Sequence, residues 1–130
     1  MIGIVIVAHG GLANEYLAAM EHVVGAQNGV SAITIESDHD RSQKQREICA
    51  AADAVDHGDG VVVVTDMFGG SPSNLSLRAC APANRRILYG ANLPMLIKLA
   101  KSRHLDVADA VRAALEAGRK YIDSQNIQTG

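Results

Sequence analysis

Ile2 to Ala8 is an almost unbroken run of apolar, mostly β-branched residues, and Gly60 to Thr65 repeats the pattern with four consecutive valines. A strand that alternates polar and apolar residues can leave one face in water, whereas a continuous run must be covered on both. Two such strands in one short chain therefore call for a buried, mostly parallel sheet with helices on each face. Ser31 to Ile35 and Arg86 to Tyr89 read as shorter strands of the same kind.

The segments between the strands carry helical spacing. Leu12, Tyr16, Ala19, Met20 and Val23 recur at steps of three and four, with Gly25 near the end. Asp40 with Gln43 resembles a capping box opening a helix through Ile48, Ala52 and Val55 that closes near Gly58. Ser71-Pro72 supplies an N-cap and a first-turn proline, and Asn92 opens a short helix through Leu96 and Leu99. Asp106 with Asp109 opens the last helix, which runs through Val111 and Leu115 to Gly118. Alternation of strand and helix predicts an α/β fold, an open, doubly wound sheet of four parallel strands with helices on both faces. From pattern alone, Arg119 to Asp123 fits either a helical extension or an edge strand.

Composition excludes several functions. With 130 residues, 48% hydrophobic and 20% charged, the chain reads as one domain spanning 1–130 rather than a disordered scaffold. A net charge of −2 gives no basic footprint for nucleic acid or anionic lipid. Three Tyr, one Phe and no Trp are too few for a ring-lined pocket or a base-stacking platform. Cys49 and Cys80 lie in alanine-rich stretches without CxxC spacing and read as small core residues. The N-terminus has no signal-peptide lead and no apolar run reaches membrane-span length, so a cytoplasmic location is expected.

In open α/β sheets ligands bind beyond the carboxyl ends of the strands, at the point where strand order reverses. The first strand is followed by His9-Gly10-Gly11, the third by Asp66-Met67-Phe68-Gly69-Gly70-Ser71-Pro72-Ser73-Asn74, and the fourth by Gly90-Ala91-Asn92-Leu93-Pro94-Met95. If the first and third strands are neighbours, His9, Asp66 and the Gly69-Gly70-Ser71 turn converge. A carboxylate on one ring nitrogen fixes the tautomer and makes the other nitrogen a nucleophile. Glycine N–H groups and a hydroxyl at a helix start form an anion cradle. Together the parts describe a histidine that accepts and donates phosphate. Each part also has a plainer reading: His9 as a hydrogen-bonded strand end, Asp66 as a turn cap, Gly-Gly-Ser-Pro as a helix start. Of the other histidines, His22 reads as surface, His57 as a helix-end residue and His104 as part of a connection. Asp38-His39-Asp40 reads as a loop and N-cap, with metal binding a remote second. There is no GxGxxG and no GxxxxGK[ST] to indicate dinucleotide or Walker-type binding.

Three pieces carry a family resemblance: Ile4-Val5-Ile6-Val7-Ala8-His9-Gly10, Thr65 through Asn74 with its DMFGGSPSN run, and Gly90-Ala91-Asn92-Leu93-Pro94-Met95-Leu96. In order and spacing they resemble the IIA domain of the mannose-type family of the bacterial phosphoenolpyruvate:sugar phosphotransferase system. The resemblance implies that His9 takes phosphate on Nε2 from the phosphocarrier protein HPr, that Asp66 holds the other ring nitrogen, and that Ser71 lies beside the phosphoryl group, with Gly69 and Gly70 in the cradle. It implies a first strand at the centre of the sheet and a homodimer that exchanges a C-terminal strand, which would make 118–130 an edge strand and tail. It implies no cofactor and no bound metal. A related subunit serving dihydroxyacetone kinase usually lacks the FGGSP segment, so its presence here favours the mannose type.

With no IIB domain following, the expected recipient is a separate IIB protein. The alternative is a stand-alone regulatory phosphoacceptor that binds a target according to the state of His9. A weaker third reading is an anion- or nucleotide-binding domain without covalent chemistry.

Overall fold

The computed structural model describes residues 1–38, 40–67, 81–82 and 84–129. In chain order these form β1 (Gly3–His9), α1 (Leu12–Val24), β2 (Val30–Ile35), α2 (Arg41–Val55), β3 (Val61–Thr65), β4 (Arg85–Leu88), α3 (Leu93–Lys101) and α4 (Val107–Lys120), with a 3-10 turn at Ile127–Thr129. The four strands make one parallel sheet in the order β2-β1-β3-β4. The chain thus winds outward in one direction from β1 to β2 and in the other from β3 to β4, and the switch point lies between β1 and β3. This is the open doubly wound α/β architecture expected, with β1 inside the sheet.

The continuous apolar runs divide by parity between two cores. Ile4, Ile6, Ala8, Val62, Val64 and Leu88 pack against α1, α3 and α4 through Met20, Leu96, Leu99, Val107, Ala110, Val111 and Ala114. Val5, Val7, Ile33, Ile35, Val61 and Val63 pack on the other face against Ile48, Ala52 and Val55 of α2. Side chains of a strand alternate between faces, so a strand buried on both faces reads as a continuous apolar run. The approach of α2 is close enough to require a glycine. A Cβ on Gly3 would lie 2.6 Å from Val55 Cγ2 and 2.8 Å from the Val55 carbonyl carbon.

Helix starts follow their capping residues. The side chains of Asp40, Asn92 and Asp106 accept from the N–H groups of Gln43, Met95 and Asp109, at 3.1, 3.0 and 2.8 Å. The expected start at Ser71-Pro72 lies outside the described residues, as does Cys80. Cys49 is half-buried against the α2 core. Within α1 the buried positions are Ala13 and Met20, while Leu12 and Val23, expected on the buried stripe, are 44% and 52% exposed.

The end of the chain differs from expectation. Gly118 does not stop the last helix: α4 continues through Arg119 and Lys120, so these two residues are helical rather than strand. Gly118 instead allows contact. A Cβ there would sit 3.1 Å from Met95 Cβ and Cε, and Asn92 Nδ2 donates to the Gly118 carbonyl at 2.8 Å. The glycine eases a close helix–helix approach, and the same residue type had signalled a terminus. Residues 122–126 have no regular secondary structure in the single chain, and Tyr121, Ile122 and Ile127 are exposed.

The amino ends of the strands are tied by charge. Arg103, 4% exposed, donates from Nε to the Ile2 carbonyl at 2.7 Å, from Nη1 to Gln27 Oε1 at 3.0 Å and from Nη2 to the Gly29 carbonyl at 3.3 Å. Burial lowers its pKa from the ordinary guanidinium value. Arg85 bridges Asp53 and Asp56 at 2.8 and 3.0 Å, and the Met1 amine pairs with Asp59.

Candidate functional site

β1 and β3 run side by side with Val7 opposite Thr65 as their last registered pair. His9 lies two residues beyond Val7 and Asp66 one beyond Thr65, so both side chains emerge at the carboxyl edge of the switch point. There His9 Nδ1 is 2.8 Å from Asp66 Oδ2, and the His9 backbone N–H donates to the same oxygen at 3.1 Å. One carboxylate oxygen thus fixes both the backbone and the ring of His9. An ionised carboxylate only accepts hydrogen bonds, so against it a neutral imidazole carries its proton on Nδ1 and keeps the Nε2 lone pair. The exposures are unequal: 46% of the imidazole is accessible against 10% of the Asp66 side chain. The orienting group is shielded while the ring is open to a partner. Asp66 Oδ1 is buried with no hydrogen-bond partner among the described residues.

The turns on either side of His9 are held by backbone bonds. Gly10 has φ +55°, a turn that L side chains rarely adopt, and its N–H donates to the Ile35 carbonyl at 3.0 Å. Gly11, two residues after His9, is the N-cap of α1 and provides no side-chain cap. On the other side, Ala91 N–H donates to the Thr65 carbonyl at 2.9 Å and secures the end of β3 against the turn after β4.

The structure therefore brings together His9 and Asp66, as their placement after adjacent strands predicts. Gly69, Gly70 and Ser71 lie outside the described residues. His22, His57 and His104 are exposed and away from the pair, and His39 is outside the described residues. Asp40 caps α2. No group of three or more His, Cys, Asp or Glu suited to a metal occurs among the described residues. Sequence reasoning missed the buried Arg103 and the Arg85–Asp53–Asp56 bridge, because long-range pairing of a single arginine leaves no local pattern. It also missed the link from Tyr16 Oη to the Ala91 carbonyl, at 3.2 Å.

A doubly wound parallel domain with a carboxylate-oriented, open histidine at its switch point defines a class of small α/β proteins. Within that class the chain belongs to the family described as the PTS system fructose IIA component, whose model matches residues 3–116. It is a mannose-type IIA component of the phosphotransferase system. It is 30% identical over 124 residues to the mannose-specific EIIAB component of Escherichia coli K12, covering 93% of this chain. The chain spans 38% of that relative's length. Its fold matches the phosphotransferase system component EIIA of Streptococcus agalactiae with a TM-score of 0.85 and 26% identity over the whole of both chains. A PTS IIA protein associated with the fucose utilization operon of Streptococcus pneumoniae matches with a TM-score of 0.78 and 25% identity, over 98% of this chain and 93% of that one. No helix among the described residues is long and apolar enough to cross a membrane.

Proposed function

We propose that residues 1–130 act as one phosphoryl-transfer unit in which His9 takes phosphate from HPr and passes it to a IIB protein. The observation that carries this reading is the 2.8 Å contact between His9 Nδ1 and a shielded Asp66 Oδ2, beside an imidazole that remains 46% exposed. In the forward step the Nε2 lone pair attacks the phosphorus of phospho-HPr. The donor's N–P bond breaks as the new one forms, and the donor ring keeps the electron pair. Nδ1–H stays on His9 throughout, and Asp66 balances the positive charge the ring acquires. Gly69, Gly70 and Ser71 are assigned to the cradle around the phosphoryl oxygens. The reading includes a sugar-transport role and a cytoplasmic location, which membership of the family supports.

The proposal includes a homodimer that exchanges its C-terminal segment. Two features support it: the outer edge of β4 is unpaired among the described residues, and Tyr121, Ile122 and Ile127 stand exposed beyond α4. A single-chain mass in sedimentation equilibrium would remove this part.

Incubation with phosphoenolpyruvate, the upstream enzyme and HPr tests the main reading. The protein should gain one acid-labile, base-stable phosphoryl group by intact mass, and His9→Ala should gain none. Phosphate retained in His9→Ala would place the acceptor elsewhere.

A further inference from the structure

His9 and Asp66 both lie past the last registered pair of β1 and β3, so the sheet ladder does not itself fix their separation. Besides the direct contacts of Asp66 with His9, a second connection joins the two strand ends. From His9 the chain passes through Gly10 and Gly11 into α1, where Tyr16 donates from Oη to the Ala91 carbonyl at 3.2 Å. Ala91 N–H in turn donates to the Thr65 carbonyl at 2.9 Å, and Thr65 precedes Asp66. The circuit closes through the Asp66–His9 contact. Apart from the pair itself, Tyr16 supplies the single side chain in this ring. Its ring packs against the core beneath the sheet, which leaves the hydroxyl little freedom to move.

We infer that Tyr16 is a positioning residue for phosphoryl transfer, holding the end of β3 so that Asp66 stays on the Nδ1 side of His9. The inference rests on the reading of His9 as the acceptor. Ala91 is buried, so losing the hydroxyl leaves its carbonyl without that donor, and the turn after β4 relaxes to recover one. Relaxation there moves Thr65 and with it the carboxylate.

Tyr16→Phe removes the hydroxyl and keeps the packed ring. The His9 ring nitrogens of the unphosphorylated protein are read by long-range proton–nitrogen correlation, beside single-turnover acceptance from phospho-HPr and a thermal melt. In Tyr16→Phe the two nitrogen shifts should move toward tautomer-averaged values, and acceptance should slow about three- to tenfold, the scale of one net hydrogen bond. Tyr16→Leu, lacking the same hydroxyl, should show the same nitrogen shifts. Wild-type nitrogen shifts in Tyr16→Phe overturn the inference even if the melting temperature falls, because a purely structural hydroxyl would change only the melt. If the wild-type protein takes no phosphate, the acceptor reading fails on its own, and the spectrum still decides what Tyr16 does.

Discussion

Asp66→Asn is the sharpest perturbation of the site, because the two oxygens of Asp66 have unequal surroundings. Oδ2 accepts from His9 Nδ1 at 2.8 Å and from His9 N–H at 3.1 Å, whereas Oδ1 is buried without a hydrogen-bond partner among the described residues. Asparagine has two ways to fit. With its oxygen in the Oδ2 position the tautomer survives, but the amide NH2 takes the buried Oδ1 position, which has no partner among the described residues. A buried donor left unpaired costs about 1–3 kcal/mol. The contact to the ring also changes from charge-assisted to neutral, losing about 1 kcal/mol where the ring becomes positive, or about fivefold to tenfold in rate. With the amide turned round, NH2 faces both Nδ1 and the His9 N–H. Nδ1 must then accept, the proton moves to Nε2, and the nucleophilic lone pair is lost. In serine-protease triads the corresponding tautomer error costs about 10⁴ in rate.

The two fits therefore bracket the loss between about tenfold and about 10⁴-fold, with the folded state retained. Quench-flow transfer from phospho-HPr measures the loss, and the nitrogen spectrum of His9 identifies which fit is adopted. A protonated Nε2 should accompany the larger loss. Asp66→Asn transferring at the wild-type rate would refute the reasoning, whichever tautomer it shows.

Two further outcomes concern stability. Gly3→Ala forces a Cβ against the carbonyl and side chain of Val55, where the closing turn of α2 cannot give way, so urea denaturation should show a loss of about 2–3 kcal/mol. Asp56 has its pKa lowered below 3.8, first by the Gly58 N–H and then by Arg85. A depressed carboxylate stabilises the fold above its unfolded value and loses that contribution as pH falls through its folded value. Asp56→Asn should therefore be less stable than wild type at neutral pH, with the difference closing below about pH 3.8 in denaturation curves; a gap that persists at lower pH would contradict this.

Much of the fold was legible because its signals are local. The valine run becomes β3, and Asp40, Asn92 and Asp106 cap the helices they precede. The His9–Asp66 contact was legible only conditionally. Each residue follows a strand, and the contact depends on β1 and β3 being neighbours, which strand order decides. What escaped was carried by nonlocal contact. Gly118 has the look of a helix stop and serves instead to let α4 approach Met95. Leu12 and Val23 share the period of Met20, yet only Met20 of the three is buried, together with Ala13, because the sheet sets the rotation of α1. Arg103 has no local pattern that foretells its three nitrogens bonding to Ile2, Gln27 and Gly29.

The two ends of the parallel strands do different work, and the bonds at each end follow from it. At the amino end, Arg103, Arg85 and the Met1 amine tie distant segments with charge-assisted contacts, and no candidate nucleophile lies among them. At the carboxyl end the segments are joined by single hydrogen bonds: Ala91 to Thr65, Tyr16 to Ala91, Gly10 to Ile35. Among these contacts the one that carries charge is the His9–Asp66 pair. A second strong cation or carboxylate within reach of His9 would compete for its ring or for the incoming phosphate. Neutral tethers hold the geometry without changing the charge that transfer depends on. The charge-assisted ties of Arg103, Arg85 and the Met1 amine share no partner with the His9–Asp66 pair, so substitutions at the two ends should act independently.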